Sequence, residues 1–264
     1  MGLAEALLDL QELTRHLRRE CPWDREQTVG TIVPHTVEEA YEVADAALAA
    51  DDGALHGELG DLLFQVYFLS LLLEERRAGD LESVARDVHA KLVRRHPHVF
   101  GDADARTPGR VRERWEALKT EQEGREGIFH DVPEVLPALL QARKVQRRAA
   151  AVGYDWPDLA GPLAKVREEF GELEEAAARA GVPAPETEPD AEVFHELGDL
   201  LFTAVNVSRR LNVDPELALR ATTRRFTERV ELAAELAGAD GEDWRELDLD
   251  AKDAYYDRAK ERLA

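Results

Sequence analysis

Apolar residues recur three and four positions apart through most of this chain, in long stretches rich in Ala, Leu, Glu and Arg that Gly and Pro interrupt. Strict apolar–polar alternation, the mark of a half-buried strand, is missing. The pattern therefore predicts an all-α protein without substantial β-sheet. One helix is expected from Leu8 toward Asp24, ending in Cys-Pro-Trp-Asp, and another from Leu139 toward Trp156, ending in Gly-Tyr-Asp-Trp. Each precedes a helix carrying Glu-Glu-x-x-Glu, at Glu38, Glu39 and Glu42 in one case and at Glu168, Glu169 and Glu172 in the other. In the first of these, Val37, Ala40, Tyr41, Ala44 and Leu48 form the apolar face expected to pack, with Glu38 and Glu42 well away from it and Glu39 on the far flank.

A repeat organises these segments. "GELGDLLF" at 57–64 returns as "HELGDLLF" at 195–202. Beyond Glu58 and Asp61 the helix is apolar nearly all the way round, which predicts burial, and Glu58, Asp61 and Gln65 share one narrow stripe of it. Glu196, Asp199, Thr203 and Asn206 repeat that stripe. Further on, "KLVRRHPHVF" (91–100) answers "RFTERVELAA" (225–234), and "WEALK" (115–119) answers "YDRAK" (256–260). The chain thus reads as a tandem duplication of one helical-bundle unit, 1–127 and 128–264, joined where Gly124, Gly127, Pro133 and Pro137 break helical periodicity. A Pro-rich stretch at 180–190 has no counterpart in the first unit and is expected as a surface loop.

At 264 residues the length suits two domains. A net charge of −21 argues against nucleic acid and anionic membrane as partners, since both need a basic face. No apolar run is long enough to span a bilayer, and the N-terminal stretch, broken by Glu5, Asp9 and Glu12, reads as an amphipathic helix rather than a signal peptide, so a cytoplasmic protein is expected. The single cysteine, Cys21, excludes an internal disulfide and a cysteine-rich metal site. There is neither a Gly-Lys phosphate loop nor a Gly-x-Gly-x-x-Gly turn. Di-iron chemistry would require Glu-x-x-His from each of two helices, and only Glu192 with His195 fits.

The informative residues are the carboxylates. An acidic helix face is ordinarily solvated, but acids on an otherwise apolar helix are costly unless protonated, paired or bound to a cation. Folding each Glu-Glu-x-x-Glu helix back beside its Glu-x-x-Asp helix lets Glu39, Glu42, Glu58 and Asp61 converge, and likewise Glu169, Glu172, Glu196 and Asp199. Such oxygen-only sets suit a hard divalent cation, Mg²⁺ or its substitute Mn²⁺; pairing with arginine is the structural alternative. Lys165 lies one turn before Glu169 on the same face as Glu169 and Glu172, and His35 occupies that position in the first unit. The histidines of "RRHPHVF" fall at a helix end that Pro97 enforces and read as a cap rather than a metal site.

Cys-Pro-Trp-Asp, Glu-Glu-x-x-Glu, Glu-Leu-Gly-Asp-Leu-Leu-Phe and Arg-Arg-His-Pro-His-Val-Phe, in this order, resemble the MazG family of all-α nucleoside triphosphate pyrophosphohydrolases in its two-domain bacterial form, over essentially the whole chain. The resemblance implies Mg²⁺-dependent hydrolysis of a nucleoside triphosphate to monophosphate and pyrophosphate, a house-cleaning role in the nucleotide pool, and a homodimer or higher oligomer. It places metal ligands on the two quartets. Glu38 and Glu168 become extra acids that orient water or hold a second metal. Phosphate contacts fall on Lys165, Arg225 and Arg229, and on Lys91 and Arg95. Tyr256 or Trp115, followed by Lys260 or Lys119, would stack on a base or close the site. The C-terminal unit is the one usually regarded as active in such relatives. The competing classes are a catalytically silent nucleotide-binding or partner-binding regulator and a structural helical assembly.

Overall fold

The structure, a computed structural model, describes residues 2–101, 127–129, 132–181 and 188–263. Eleven helices and no strand occur among these residues. The chain divides into two compact units, Met1–Gln122 and Glu123–Ala264. Trp115 and Lys119 lie outside the described residues, as does most of the Pro-rich stretch (182–187).

The first unit contains α1 (Leu3–Glu20), α2 (Pro22–Glu26), α3 (Val29–Leu48), α4 (Asp52–Glu75), α5 (Leu81–Arg95) and α6 (Pro97–Phe100). Thr28 caps α3 by exchanging hydrogen bonds with Thr31, and the Asp51 carboxylate accepts from the amides of Gly53 and Ala54 at the start of α4. With so short a turn between them, α3 and α4 pack as an antiparallel hairpin. Ile32 near the start of α3 meets Phe68 and Leu72 near the end of α4, and Val29, Phe64 and Leu69 close over this core. α1 and α5 pack on α4.

The packed face of α3 differs from the one its apolar pattern predicts. Val37 and Leu48 are exposed, whereas Ile32 and Ala46 are buried and Glu39 is half-buried. The physical reason is that Ile32 packs against Phe68 and Leu72 of α4, and this apolar contact rather than the Val37–Leu48 stripe sets which side of α3 faces α4. α4 is likewise only partly covered: Phe68, Tyr67, Gln65 and Leu72 are buried, but Leu59, Leu63 and Val66 are exposed.

The second unit contains α7 (Ala138–Ala151), α8 (Ala160–Ala180), α9 (Ala191–Arg210), α10 (Pro215–Ala239) and α11 (Leu249–Arg262). α8 pairs with α9, and α7 lies against α9, where the Gln146 amide donates to the Phe202 carbonyl at 2.7 Å. α10 and α11 form their own hairpin around Ala233, Leu236 and Ala259. Arg143 of α7 pairs with Asp214, the cap of α10.

The Gly-Tyr-Asp-Trp turn between α7 and α8 is fastened to the end of α9. Gly153, with φ of +87°, takes the left-handed conformation that ends α7. Asp155 then accepts from Arg209 at 2.5 and 3.1 Å and from Arg210 at 3.3 Å, while Arg209 also donates to Asn206 at 2.9 Å. Burial pushes the Asp155 carboxyl up, but the Arg209 guanidinium, the Trp156 amide and Arg210 outweigh it and hold Asp155 below the usual carboxylate range. The matching turn of the first unit is tied differently. Arg18 donates to the carbonyls of Asp24 and Gln27 and pairs with Glu75 at 2.8 Å.

The fastened turn brings the Trp156 indole against Gly161. A Cβ at Gly161 would stand 2.0 Å from the indole Cδ1 and 2.6 Å from Cγ, whereas one at Gly171 would meet nothing within 4 Å. Gly161→Ala is therefore expected to lower stability by about 1–3 kcal/mol through overpacking, and Gly171→Ala to raise it by about 0.4–1 kcal/mol by restricting the unfolded chain. Paired urea denaturation curves check both signs.

Candidate active site

Each antiparallel hairpin brings acids from both its helices to one place. In the first unit carboxylate oxygens of Glu39, Glu58 and Asp61 lie within 4.8 Å of one another, and in the second those of Glu169, Glu196 and Asp199 do the same. The geometry follows from the register. Acids three apart share a face of each helix, and in an antiparallel pair a step forward on one helix meets a step back on the other.

The fourth acid of each quartet borders its triad. Glu42 lies close enough to Glu39 and Glu58, and Glu172 to Glu169, to shift their ionisation. Desolvation, then the charges of Asp61 and Glu42, holds the Glu39 carboxyl above its usual range. Desolvation, then the charges of Glu42 and Asp61, does so for Glu58. Glu172 is raised by desolvation and by the neighbouring Glu169 and Glu196 carboxylates, with Lys165 opposing. In each case loss of water comes first and the neighbouring acids add to it.

The second unit supplies part of that charge itself. Lys165 Nζ sits 2.6 Å from Glu169 Oε1 and 2.8 Å from Glu168 Oε1, bridging a carboxylate whose side chain is 6% exposed to one open to solvent. These two hydrogen bonds raise the Lys165 pKa, so the ammonium stays charged. In the first unit the equivalent His35 reaches only Glu38, at 3.7 Å, and its ring stands edge-on to Trp23. Among the described residues Lys165 is the one basic side chain in ion-pair contact with either triad.

The other expected basic positions lie elsewhere. Lys91 is exposed on α5, and Arg95 is half-buried in its last turn. Arg225 donates to Thr222 at 3.0 Å. Lys260 pairs with Asp257 at 2.8 Å and stands over the Tyr256 ring at 5.3 Å, near enough to Arg229 to feel its charge. Arg225, Arg229, Tyr256 and Lys260 belong to the α10–α11 hairpin, and among the described residues no ion pair joins them to the triad. Sequence reasoning did not find the Asp155–Arg209 fastening; the recurrence of the Trp-bearing turn at both hairpins was the only signal of it. At the end of α5 the helix stops at Arg95, and His96 is its cap residue.

The donor set fits a hard divalent cation. Its atoms are all carboxylate oxygens, they come from both helices of a hairpin, and their mutual repulsion is what a cation would relieve. Because the Glu58 pKa is raised on folding, its contribution to stability is present below the unfolded value of about 4.3 and is lost as pH rises through the raised folded value. In EDTA, Glu58→Gln is therefore expected to melt above the parent protein at about pH 7.5, the gap closing toward pH 4, and added Mg²⁺ to stabilise the parent more than the variant. Thermal melts across pH check this.

Known proteins resemble this chain over much of its length. A family profile described as the MazG nucleotide pyrophosphohydrolase domain matches residues 27–100. A nucleoside triphosphate pyrophosphohydrolase of Escherichia coli strain K12 is 38% identical over 263 residues, covering 98% of each chain. The nucleoside triphosphate pyrophosphohydrolase/pyrophosphatase MazG of Thermotoga maritima is 40% identical over 260 residues, 98% of this chain and 96% of its own. A nucleoside triphosphate pyrophosphohydrolase of Mycobacterium tuberculosis is 33% identical over 151 residues, 56% of this chain and 46% of its own. Likeness of this extent, running from end to end of two relatives, means that the chain belongs to the MazG family.

Proposed function

We propose that this protein hydrolyses nucleoside triphosphates to nucleoside monophosphate and pyrophosphate, with Mg²⁺ held by the carboxylate clusters, and that it serves to clear the nucleotide pool. The observation that carries the reading is the stripe on α8 where Lys165 stands beside a cation-fitting acidic triad, a pairing suited to a metal-bound polyphosphate. The relatives' names agree with the reaction.

The bound cation supplies Lewis acidity toward phosphate oxygens and a water more acidic than bulk water. The chain's own groups do the rest. Glu169, Glu196 and Asp199 are ligands, with Glu172 completing the quartet. Lys165 leaves its carboxylates to grip a phosphate, worth more in a partly buried site than in water. Glu168, released from Lys165 and open to solvent, takes the proton from the attacking water as the phosphoanhydride bond breaks. Arg225, Arg229, Tyr256 and Lys260, on the α10–α11 hairpin apart from the triad, are the positions that the family resemblance assigns to the phosphates and base.

The N-terminal quartet, with Glu38 as its extra acid and Lys91 and Arg95 as its basic positions, is the weaker candidate for turnover, because His35 replaces the lysine. Two domains of one duplicated unit, 1–127 and 128–264, in a cytoplasmic homodimer complete the reading. The exposed apolar stripes Leu59, Leu63 and Val66 on α4 and Leu197 and Leu201 on α9 are suited to a second copy.

Incubation with a panel of nucleoside triphosphates, with Mg²⁺ or EDTA, and separation of products by ion exchange tests this. Monophosphate and pyrophosphate are expected only with metal. Glu172→Gln should lose far more activity than Glu42→Gln, and Glu168→Gln should lower kcat by about 10²–10⁴-fold. No turnover of any nucleotide at saturating metal would leave a binding protein as the better account.

A further inference from the structure

Gly161, Lys165, Glu169 and Glu172 follow one another at helical spacing along one side of α8, and the Trp156 indole lies on the first of them. Eight residues of helix separate Gly161 from Glu169, about 12 Å along the axis at 1.5 Å per residue, with Lys165 midway. A nucleotide whose phosphates are gripped by Lys165 and the triad therefore has its ribose and base within reach of the indole. Trp156 is 39% exposed, so part of this large ring is open to solvent.

Its seat is built rather than incidental. Asp155, the preceding residue, is clamped by Arg209 and Arg210 and accepts from the Trp156 amide at 2.9 Å. Gly161 lacks the side chain that would push the ring away. The first unit also sets a tryptophan beside its matching helix, but at a different point: Trp23 of α2 stands edge-on to His35, the counterpart of Lys165, one turn beyond the position that Gly161 holds. The other aromatic near the expected phosphate contacts, Tyr256, is already engaged: Phe226 packs against it at 6.0 Å, Lys260 covers its face, and it belongs to the α10–α11 core.

We infer that Trp156 is the stacking platform for the base of the nucleotide, a substrate-binding residue of the C-terminal unit that reads the π-face of the base and not its hydrogen-bonding edge. The inference rests on the proposed nucleotide function. Stacking of this kind accepts any base and favours the larger purine surface.

Calorimetric Kd values for ATP and CTP with Mg²⁺, and for tripolyphosphate as a probe without a base, are measured for the parent, Trp156→Leu, Trp156→Phe and Gly161→Ala, alongside product formation. Trp156→Leu should weaken ATP about tenfold or more. CTP should be weakened less and tripolyphosphate not at all, with Trp156→Phe between parent and leucine. Gly161→Ala, which dislodges the ring without removing it, should weaken ATP in the same direction, and it decides the matter should the leucine variant not fold. Unchanged ATP affinity in the folded variants, or an equal loss for tripolyphosphate, overturns the inference. Base-dependent weakening in a protein that forms no product would leave the platform standing and overturn the hydrolytic reading instead.

Discussion

Like charges meeting across a helix hairpin set the terms for both units. Glu39 with Glu58 and Asp61, and Glu169 with Glu196 and Asp199, stand close enough, with one acid of each triad open to solvent, that ionising all three is unfavourable, and the Glu39, Glu58 and Glu172 carboxyls are held above their usual range. A fold tolerates such a cost only where something else offsets it. Here the apolar contacts of Ile32 with Phe68 and Leu72 hold the first hairpin closed, and the Asp155–Arg209 clamp and the Gln146–Phe202 hydrogen bond brace the second. The site is a strained arrangement supported by its surroundings, as functional sites commonly are.

The two units resolve the repulsion differently. Lys165 gives the second an internal counter-ion, held to both Glu168 and Glu169. His35 gives the first only a distant contact with Glu38. A cation entering the second site meets an ammonium that must move, and a triphosphate brings the negative charge that such an ammonium would follow. The first site offers a cation more uncompensated charge but less help with phosphate. One duplicated sequence thus holds two electrostatic designs.

Much of this was legible in the sequence. The all-α class followed from helical periodicity, and the convergence of acids followed from combining Glu-Glu-x-x-Glu with a hairpin. Depth was not legible. The apolar stripe of Val37 and Leu48 predicts the packed side of α3, yet Glu39 turns inward, because periodicity identifies faces without saying which neighbour each will meet. The same limit applied to α4, whose all-round apolar surface reads as burial although Leu59 and Leu63 remain exposed. Nor did spacing alone distinguish the acids of each triad from Glu42 and Glu172, which border it. The contact of Trp156 with Gly161 depends on a turn conformation that Asp155 and Arg209 fix from more than 50 positions apart in the chain, beyond the reach of local pattern.

That the carboxylate triads hold the divalent cation is tested most directly by titrating Mn²⁺ into the metal-free protein and counting bound ions by electron paramagnetic resonance. The measurement is made on the parent, Glu196→Gln and Glu58→Gln, with and without a nucleoside triphosphate. Saturable binding that loses the C-terminal site in Glu196→Gln and the N-terminal site in Glu58→Gln, with nucleotide tightening the C-terminal one, is the predicted result. Binding that is absent, or indifferent to both substitutions, would contradict the account.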